Sequence, residues 1–337
     1  MTKRERVIAA LKHQKTDFIP YQVDFTYQAW EKMAKYYNDD SFVGKIGNHI
    51  DSAYYQGDPA PIPGRDGYFK DDFGVVWNRN GADKDIGVVE NLLIPEPDLS
   101  KYIFPEVPEQ KIRENCERTI ANAGDKFTFG SIGFSLFERA WTLTGMENLL
   151  VYMVTDPDFV EELLDKIVEF NMKVVKIYLE YGFDGIFFGD DWGQQKGLIM
   201  GPHFWRKFIK PQLAKMYSMG KDRGLFIGQH SCGDIQEVYP DLVEIGLDVH
   251  QTFQPEIFDV VEIKSLYSGK LSFWGGISTQ QLLPFATPEE VIRKSKEIMS
   301  IVGKGGGFIV APTHGIPGDV PAENMHTIIE LFKNQTK

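Results

Sequence analysis

Apolar residues alternate between two patterns along the last two thirds of the chain. Short apolar runs predict strands, and longer stretches with apolar residues every three or four positions predict helices. The predicted strands are 127–133, 185–191, 225–228, 248–253, 271–276 and 307–312, and the predicted helices are 109–123, 146–154, 157–181, 202–221, 234–245, 258–267, 288–302 and 321–334. Because each long helix can cross back over a sheet, the alternation indicates parallel βαβ units.

The first part of the chain adds two strands to this series. Residues 18–25 predict a strand between helices 2–14 and 28–37, and a further strand is predicted near 50–55. A total close to eight favours a single (β/α)₈ TIM barrel in the α/β class over an open doubly wound sheet. The dinucleotide-binding alternative is weakened further, because no Gly-x-Gly-x-x-Gly follows the first strand.

The stretch 50–110 is less regular than the rest of the chain. Gly and Pro are frequent in it, and only Asp72–Trp77 has the pattern of a hairpin strand. We therefore interpret the chain as one domain over 1–337 with an N-terminal extension or insertion at about 50–110. Such an excursion either covers the mouth of a site or is a surface addition without a role in it.

Composition narrows the classes of function. The 337 residues carry a formal net charge of −12, which argues against a nucleic-acid partner, since phosphate binding requires a basic surface. No apolar run reaches the roughly 18 residues of a membrane span, and the first residues mix acid and base unlike a signal peptide. Two cysteines, Cys116 and Cys232, do not suggest a disulfide framework. We expect a cytoplasmic protein that acts on small molecules or on another protein.

The clearest candidate chemistry lies where the strand at 225–228 runs into His230-Ser-Cys-Gly-Asp. Side chains two residues apart in an extended chain project to the same side, so His230 and Cys232 can converge on one point. Zinc takes both nitrogen and sulfur ligands. A buried cysteine beside a hydrogen-bonded histidine is the alternative, and the pair by itself does not decide between them.

A barrel would collect the polar residues that follow its strands on one face, where barrel enzymes have their active sites. His314 follows the strand at 307–312 and would complete a three-ligand zinc site with His230 and Cys232. The alternative for His314 is a loop histidine bonded to a carbonyl group. The other polar residues at strand ends are Asp24, Glu138, Arg139, Asp190, Asp191, Gln251 and Gln254.

Asp190 and Asp191 are expected to have different roles, because successive strand residues point in opposite directions. At most one of them should face the centre, while the other serves a helix N-terminus or a backbone turn. We assign Asp190 to the site, as a proton-handling carboxylate or a fourth ligand. A role in the turn alone is the alternative.

Several short motifs together resemble the uroporphyrinogen decarboxylase superfamily, and within it the cobalamin-dependent methyltransferase branch. They are Gly189-Asp-Asp-Trp-Gly, Gly201-Pro-His-Phe-Trp, His230-Ser-Cys-Gly-Asp, Gly275-Gly-Ile and Thr313-His-Gly-Ile-Pro-Gly. The resemblance implies a (β/α)₈ barrel, a zinc ion on His230 and Cys232, and a corrinoid (cobalamin) carried by a partner protein. The later cysteine ligand of that branch is absent, and His314 occupies the corresponding loop. Members of the superfamily are often dimers, so a homodimer is an open expectation.

These observations predict a zinc-dependent methyltransferase that moves a methyl group between a small substrate and a separate corrinoid protein. A methyl ether, a methylamine or a thiol would suit the substrate site. The expected substrate-binding residues are Asp24, Tyr27, Trp141, Trp192 and Gln254, with Phe137 as a further wall. The aromatic residues among them have plain core packing as their alternative.

Two other functions remain open. One is a carboxy-lyase of the uroporphyrinogen decarboxylase type that acts on a tetrapyrrole, although the stretch from Tyr21 to Trp30 has no arginine and places Asp24 where a carboxylated substrate needs a cation. The other is a non-catalytic protein that binds a corrinoid or a tetrapyrrole. The chain lacks an Asp-x-His-x-x-Gly cobalamin-ligand motif, which counts against such a carrier.

Overall fold

The structure, a computed structural model, describes residues 1–81 and 86–335. Its strands are β1 Ile50–Tyr55, β2 Ala60–Pro61, β3 Tyr68–Lys70, β4 Val76–Asn78, β5 Val88–Val89, β6 Phe127–Ile132, β7 Gly185–Gly189, β8 Phe226–His230, β9 Val249–Phe253, β10 Ser272–Ile277 and β11 Phe308–Pro312. Its helices are α1 Lys3–Leu11, α2 Tyr27–Tyr37, α3 Val43–Ile46, α4 Glu109–Ala123, α5 Phe137–Thr144, α6 Met146–Thr155, α7 Pro157–Tyr178, α8 Gly201–Phe204, α9 Lys210–Lys221, α10 Tyr239–Glu244, α11 Val260–Tyr267, α12 Leu282–Phe285, α13 Pro288–Val302 and α14 Ala322–Lys333, with a π-turn at Trp205–Ile209 and a 3₁₀ turn at Gln236–Val238.

The long strands form a curled parallel sheet in the order β1-β6-β7-β8-β9-β10-β11. Residues 20–26 fill the position between β11 and β1, where Tyr21 pairs with Val310 on one side and accepts a hydrogen bond from the N–H of His49 on the other, at 3.1 Å. The predicted (β/α)₈ barrel is thereby confirmed. Its active-site face is the one at which the parallel strands end.

Residues 18–25 lie in the predicted strand position, but they do not form the regular strand that the sequence predicts. Only two isolated bridges, Tyr21 to Val310 and Phe25 to Ile316, form there. Side-chain amides replace several ladder bonds: the Oε1 atom of Gln22 accepts from the N–H of Ile50 at 3.3 Å, and the Oδ1 atom of Asn48 accepts from the N–H of Val23 at 3.0 Å. The backbone groups are thus satisfied without a regular ladder.

Two apolar clusters fill the fold. The cluster inside the barrel includes Phe127, Phe129, Trp274 and Ile309. Val7 and Leu11 of α1 pack on it, so α1 lies against the barrel interior. Thr2 caps α1, because its side chain accepts a hydrogen bond from the N–H of Glu5. The larger cluster lies between the strands and the surrounding helices.

The irregular excursion contains a small antiparallel sheet, in the order β2-β3-β4-β5. A buried ion pair joins it to the barrel: the Nη1 atom of Arg139 in α5 lies 2.7 Å from the Oδ2 atom of Asp71, between β3 and β4. Residues 82–85 of the excursion lie outside the described residues, and the assignment of 1–337 to one domain stays a prediction. No helix within 1–81 and 86–335 is both long and apolar enough to cross a membrane.

Candidate metal centre

Three side chains that are distant in the sequence meet at the carboxyl ends of the strands. His230 ends β8, Cys232 follows it by two residues, and His314 comes two residues after β11. One ligand atom from each lies within 4.8 Å of the other two. The Sγ atom of Cys232 is 3.6 Å from the Nε2 atom of His230, and the two imidazole rings are 5.8 Å apart in an edge-to-face arrangement.

The donor set and its spacing suit zinc. With a zinc–sulfur distance of about 2.3 Å, a zinc–nitrogen distance of about 2.05 Å and a tetrahedral angle, a sulfur and a nitrogen ligand should be about 3.6 Å apart. The distance between Cys232 and His230 has this value. Two imidazoles and one thiolate also leave a fourth position open, as in catalytic zinc sites.

Gln251 in β9 orients the imidazole of His230. The Nδ1–H group of His230 donates to the Oε1 atom of Gln251, and the Nε2 atom of the same ring points toward Cys232. Histidine ligands in metal sites commonly donate their second ring N–H in this way. The sequence identifies Gln251 as a residue at a strand end but not this contact, because it depends on the register between β8 and β9, in which His230 lies opposite Gln251.

The two adjacent aspartates diverge, as the strand geometry predicts, but with the roles exchanged. The Oδ1 atom of Asp191 accepts from the N–H of Cys232 at 2.7 Å and lies 3.2 Å from the Nε2 atom of His230. Asp190 is fully buried and accepts from the N–H groups of Phe137 and Glu138, at 2.9 and 2.7 Å. The first turn of α5 and the indole of Trp192 therefore hold Asp190, and it is Asp191 that contacts the cluster.

The charges of neighbouring groups strongly shift the pKa values of His230 and Asp191. Burial by itself would lower the pKa of His230, but Cys232 and Asp191 raise it well above its usual value. Burial opposes the charge of Asp191 in the same way, and His230 nevertheless lowers its pKa to about 2.

Glu138, at the start of α5, belongs to the same neighbourhood. Burial and the carboxylates of Asp191 and Asp190 raise its pKa well above the usual range. The sequence places Glu138 among the polar residues after a strand but assigns no role to it. Only the packing of α5 against the end of β7 brings it beside Asp191.

The loop that carries Cys232 depends on a close contact between two glycines. Gly233 has φ of +78°, and a Cβ atom there would lie 2.3 Å from the carbonyl carbon of Gly193. A Cβ atom on Gly193 would in turn lie only 2.5 Å from the carbonyl oxygen of Cys232. A side chain at Gly233 would force the two loops apart and displace the thiol.

A cavity of about 700 Å³ opens beside the cluster. His314 lines it together with two of the predicted substrate-binding residues, Asp24 and Tyr27. The other predicted residues are not in this lining. Trp192 is fully buried against Trp205, Gln254 is buried and accepts from the N–H of Gly233, and Trp141 packs partly buried on the core. Phe137 is fully buried as well.

Comparison with known proteins identifies a family. The family model for uroporphyrinogen decarboxylase (URO-D) matches residues 81–335. The methylated-thiol–coenzyme M methyltransferase of Methanosarcina mazei is 24% identical over 203 residues, 58% of this chain and 50% of the relative. The methylcobamide:CoM methyltransferase MtaA of Methanosarcina barkeri is 23% identical over 187 residues, 56% of this chain and 52% of the relative. The chain thus spans about half the length of these relatives.

Decarboxylases and solved structures also match. The uroporphyrinogen decarboxylase of Psychromonas ingrahamii is 23% identical over 251 residues, which cover 72% of this chain and 66% of the relative. Among solved structures, a methyltransferase from Methanosarcina mazei superimposes with a TM-score of 0.73 at 18% identity, with both chains fully covered. This likeness shows the fold alone.

Proposed function

Because the chain belongs to the uroporphyrinogen decarboxylase (URO-D) family, we propose that it is a zinc-dependent methyltransferase that moves a methyl group between a small substrate and a separate corrinoid protein. The observation that carries the proposal is the convergence of His230, Cys232 and His314 at the strand ends. Relatives named as methylcobamide:CoM methyltransferases support the reaction type.

The protein side chains have distinct tasks in this proposal. His230, Cys232 and His314 would hold zinc, which when bound would supply a Lewis acid for a lone-pair group such as a thiol, an ether or the amine that a methylated ammonium ion becomes when it loses its methyl group. Gln251 keeps the Nε2 lone pair of His230 directed inward, and Asp191 fixes the Cys232 loop through its N–H. The carboxyl group of Glu138 is the one we assign to holding a proton, in place of Asp190.

The charge of the cavity favours this function over decarboxylation of a tetrapyrrole. Asp24 and Asp51 line the cavity, and the described residues that line it include no Lys or Arg. A substrate with several carboxylates would be repelled here, whereas binding it requires cations. Turnover of a carboxylated tetrapyrrole in the presence of a chelator would nonetheless establish the decarboxylase instead.

Metal content is the first test. Protein purified without added zinc should contain about one zinc ion per chain, and Cys232→Ala and His314→Ala should each lower this content and weaken zinc affinity by at least tenfold. His203→Ala is the matched control, because His203 is an exposed histidine on α8. The mechanism would be refuted if the wild-type chain contains no stoichiometric zinc, or if His314→Ala retains the zinc content of the wild type.

Methyl transfer is the second test. Free cobalamin can stand in for the corrinoid protein, and methoxylated, methylamine and thiol compounds form the substrate panel. Transfer that requires zinc is the expected result. Tight binding of cobalamin without transfer, when a partner and substrates are supplied, would favour a non-catalytic carrier.

A further inference from the structure

The cavity beside the metal centre combines two carboxylates with aromatic walls. Asp24 and Asp51 line it together with the rings of Tyr27, Tyr54 and Trp274. Tyr27 and Tyr54 are 64% and 52% exposed, so part of each side chain faces the cavity. The same cavity includes His314, which connects it to the proposed zinc ligands.

Asp24 is the carboxylate of the cavity that we expect to attract a cation. It is exposed and lines the cavity, and within the described part of the chain it forms no ion pair with a Lys or Arg side chain. Its carboxylate accepts a hydrogen bond from the Nε2 atom of Gln22 at 3.0 Å. Burial by the surrounding walls and the nearby Asp51 raise the pKa of Asp24. A bound cation would offset both effects.

Asp51 differs from Asp24 in one respect. The Nζ atom of Lys126 lies 2.8 Å from the Oδ2 atom of Asp51, with both side chains about one third exposed. Part of the charge of Asp51 is therefore already compensated, and Asp24 carries most of the attraction for a positively charged ligand.

The inference rests on the proposed function. We propose that the small substrate is a methylated ammonium cation, held between Asp24 and the rings of Tyr27, Tyr54 and Trp274. Aromatic faces attract quaternary ammonium groups through the ring quadrupole, and a carboxylate adds a direct charge interaction. An anionic methylated thiol would meet two like charges, and a neutral ether would gain nothing from either.

The positive charge of a zinc ion does not reverse this preference. Asp24, Asp51, Asp191 and a Cys232 thiolate contribute four negative charges around the cavity and the cluster, whereas zinc and Lys126 contribute three positive charges. The site keeps a net negative charge before Glu138 is counted.

A pair of matched probes tests the substrate class by binding alone. Choline carries a trimethylammonium group. The alcohol 3,3-dimethylbutan-1-ol has a carbon atom in place of the nitrogen, so it has nearly the same shape without the charge. Isothermal titration calorimetry on zinc-loaded protein should show choline binding at least about tenfold more tightly than the isostere. Equal affinity of the two probes would overturn the proposal.

Variants assign the preference to the cavity. Asp24→Asn keeps the side-chain shape and should weaken choline binding by about tenfold without changing the affinity for the isostere, and Asp51→Asn should have a smaller effect because Lys126 offsets its charge. Asp222→Asn is the charge-matched control, since Asp222 is exposed at the end of α9. Circular dichroism checks the fold of each variant. A choline preference that persists in Asp24→Asn would contradict the assignment.

The outcome is separable from that of the methyltransferase proposal. Binding needs neither a corrinoid nor a transfer step, so a choline preference that disappears in Asp24→Asn supports the cation site even if transfer fails. Transfer from ethers or anionic thioethers, with no preference for ammonium compounds in binding or turnover, would leave the methyltransferase intact and overturn the substrate class.

Discussion

Removing the guanidinium of Arg139 should destabilise the junction between the small antiparallel sheet and the barrel. The side chains of Arg139 and Asp71 are 2% and 0% exposed, and their charged atoms are 2.7 Å apart. The guanidinium also lies 4.1 Å from the centre of the Phe73 ring. Arg139→Met keeps much of the side-chain volume but leaves the carboxylate of Asp71 buried without a counter-charge.

The magnitude follows from what remains around Asp71. Breaking a buried ion pair on one side typically costs about 3–5 kcal/mol. Asp71 would still accept from the indole N–H of Trp77 and from the N–H groups of Phe73 and Val75, at 3.2, 3.0 and 2.9 Å. We therefore expect the lower end of the range, about 3 kcal/mol. With an unfolding entropy of about 0.7 kcal/mol/K for a chain of this length, Tm should fall by about 4 °C.

Urea unfolding and differential scanning calorimetry at pH 7 measure this effect. Arg293→Met is the control, because Arg293 pairs with Glu297 at 3.9 Å on the surface, with both side chains more than half exposed. The control should lose no more than about 0.5 kcal/mol. Asp71→Asn combined with Arg139→Met should recover part of the loss, since no unpaired charge remains. The reasoning is refuted if Arg139→Met costs no more than the control or if the double variant is no more stable than Arg139→Met.

Two further predictions concern pH and the Cys232 loop. Burial and the nearby Arg6 lower the pKa of His49 from 6.5 to about 4, so the folded chain keeps this imidazole neutral and loses stability as the pH falls below 6.5. The free energy of unfolding should fall by about 2 kcal/mol more between pH 7 and pH 5 in the wild type than in His49→Gln, and equal losses in urea titrations would contradict the assignment. Gly233→Ala should weaken zinc binding by at least tenfold in a competition titration with a chelator, because its Cβ has no room against Gly193. Gly224→Ala is the control, at a similar φ of +72° but in open space, and it should cost only about 1 kcal/mol of stability and leave zinc affinity unchanged. Equal zinc affinities in the two variants would contradict the packing argument.

The periodicity of the chain was sufficient for most of the architecture. Helices 109–123 and 288–302 begin and end as predicted, and the strands from β6 to β11 lie where the apolar runs are. Residues 18–25 depart from the predicted regular strand, because the side chains of Gln22 and Asn48 make bonds there that a regular strand would make with its backbone. A pattern of apolar and polar positions does not record which amide groups take over such bonds.

The candidate site was likewise predictable only in part. Parallel strands end on one face, so the order of residues along the chain was enough to predict that His230, Cys232 and His314 lie together. Which of Asp190 and Asp191 faces them was not predictable, since it depends on where the first turn of α5 packs. Trp192 was predicted as a cavity wall, but it packs against Trp205 in the core.

The sequence by itself therefore determined the barrel and the identity of the three converging side chains, because strand and helix periods and the direction of parallel strands follow from local backbone geometry. Tertiary structure alone decided the contact between Gln251 and His230, the exchange of roles between the two aspartates, and the acidic cavity of Asp24 and Asp51. Each of these depends on side-chain directions set by packing between elements far apart in the chain, and no local pattern records that packing.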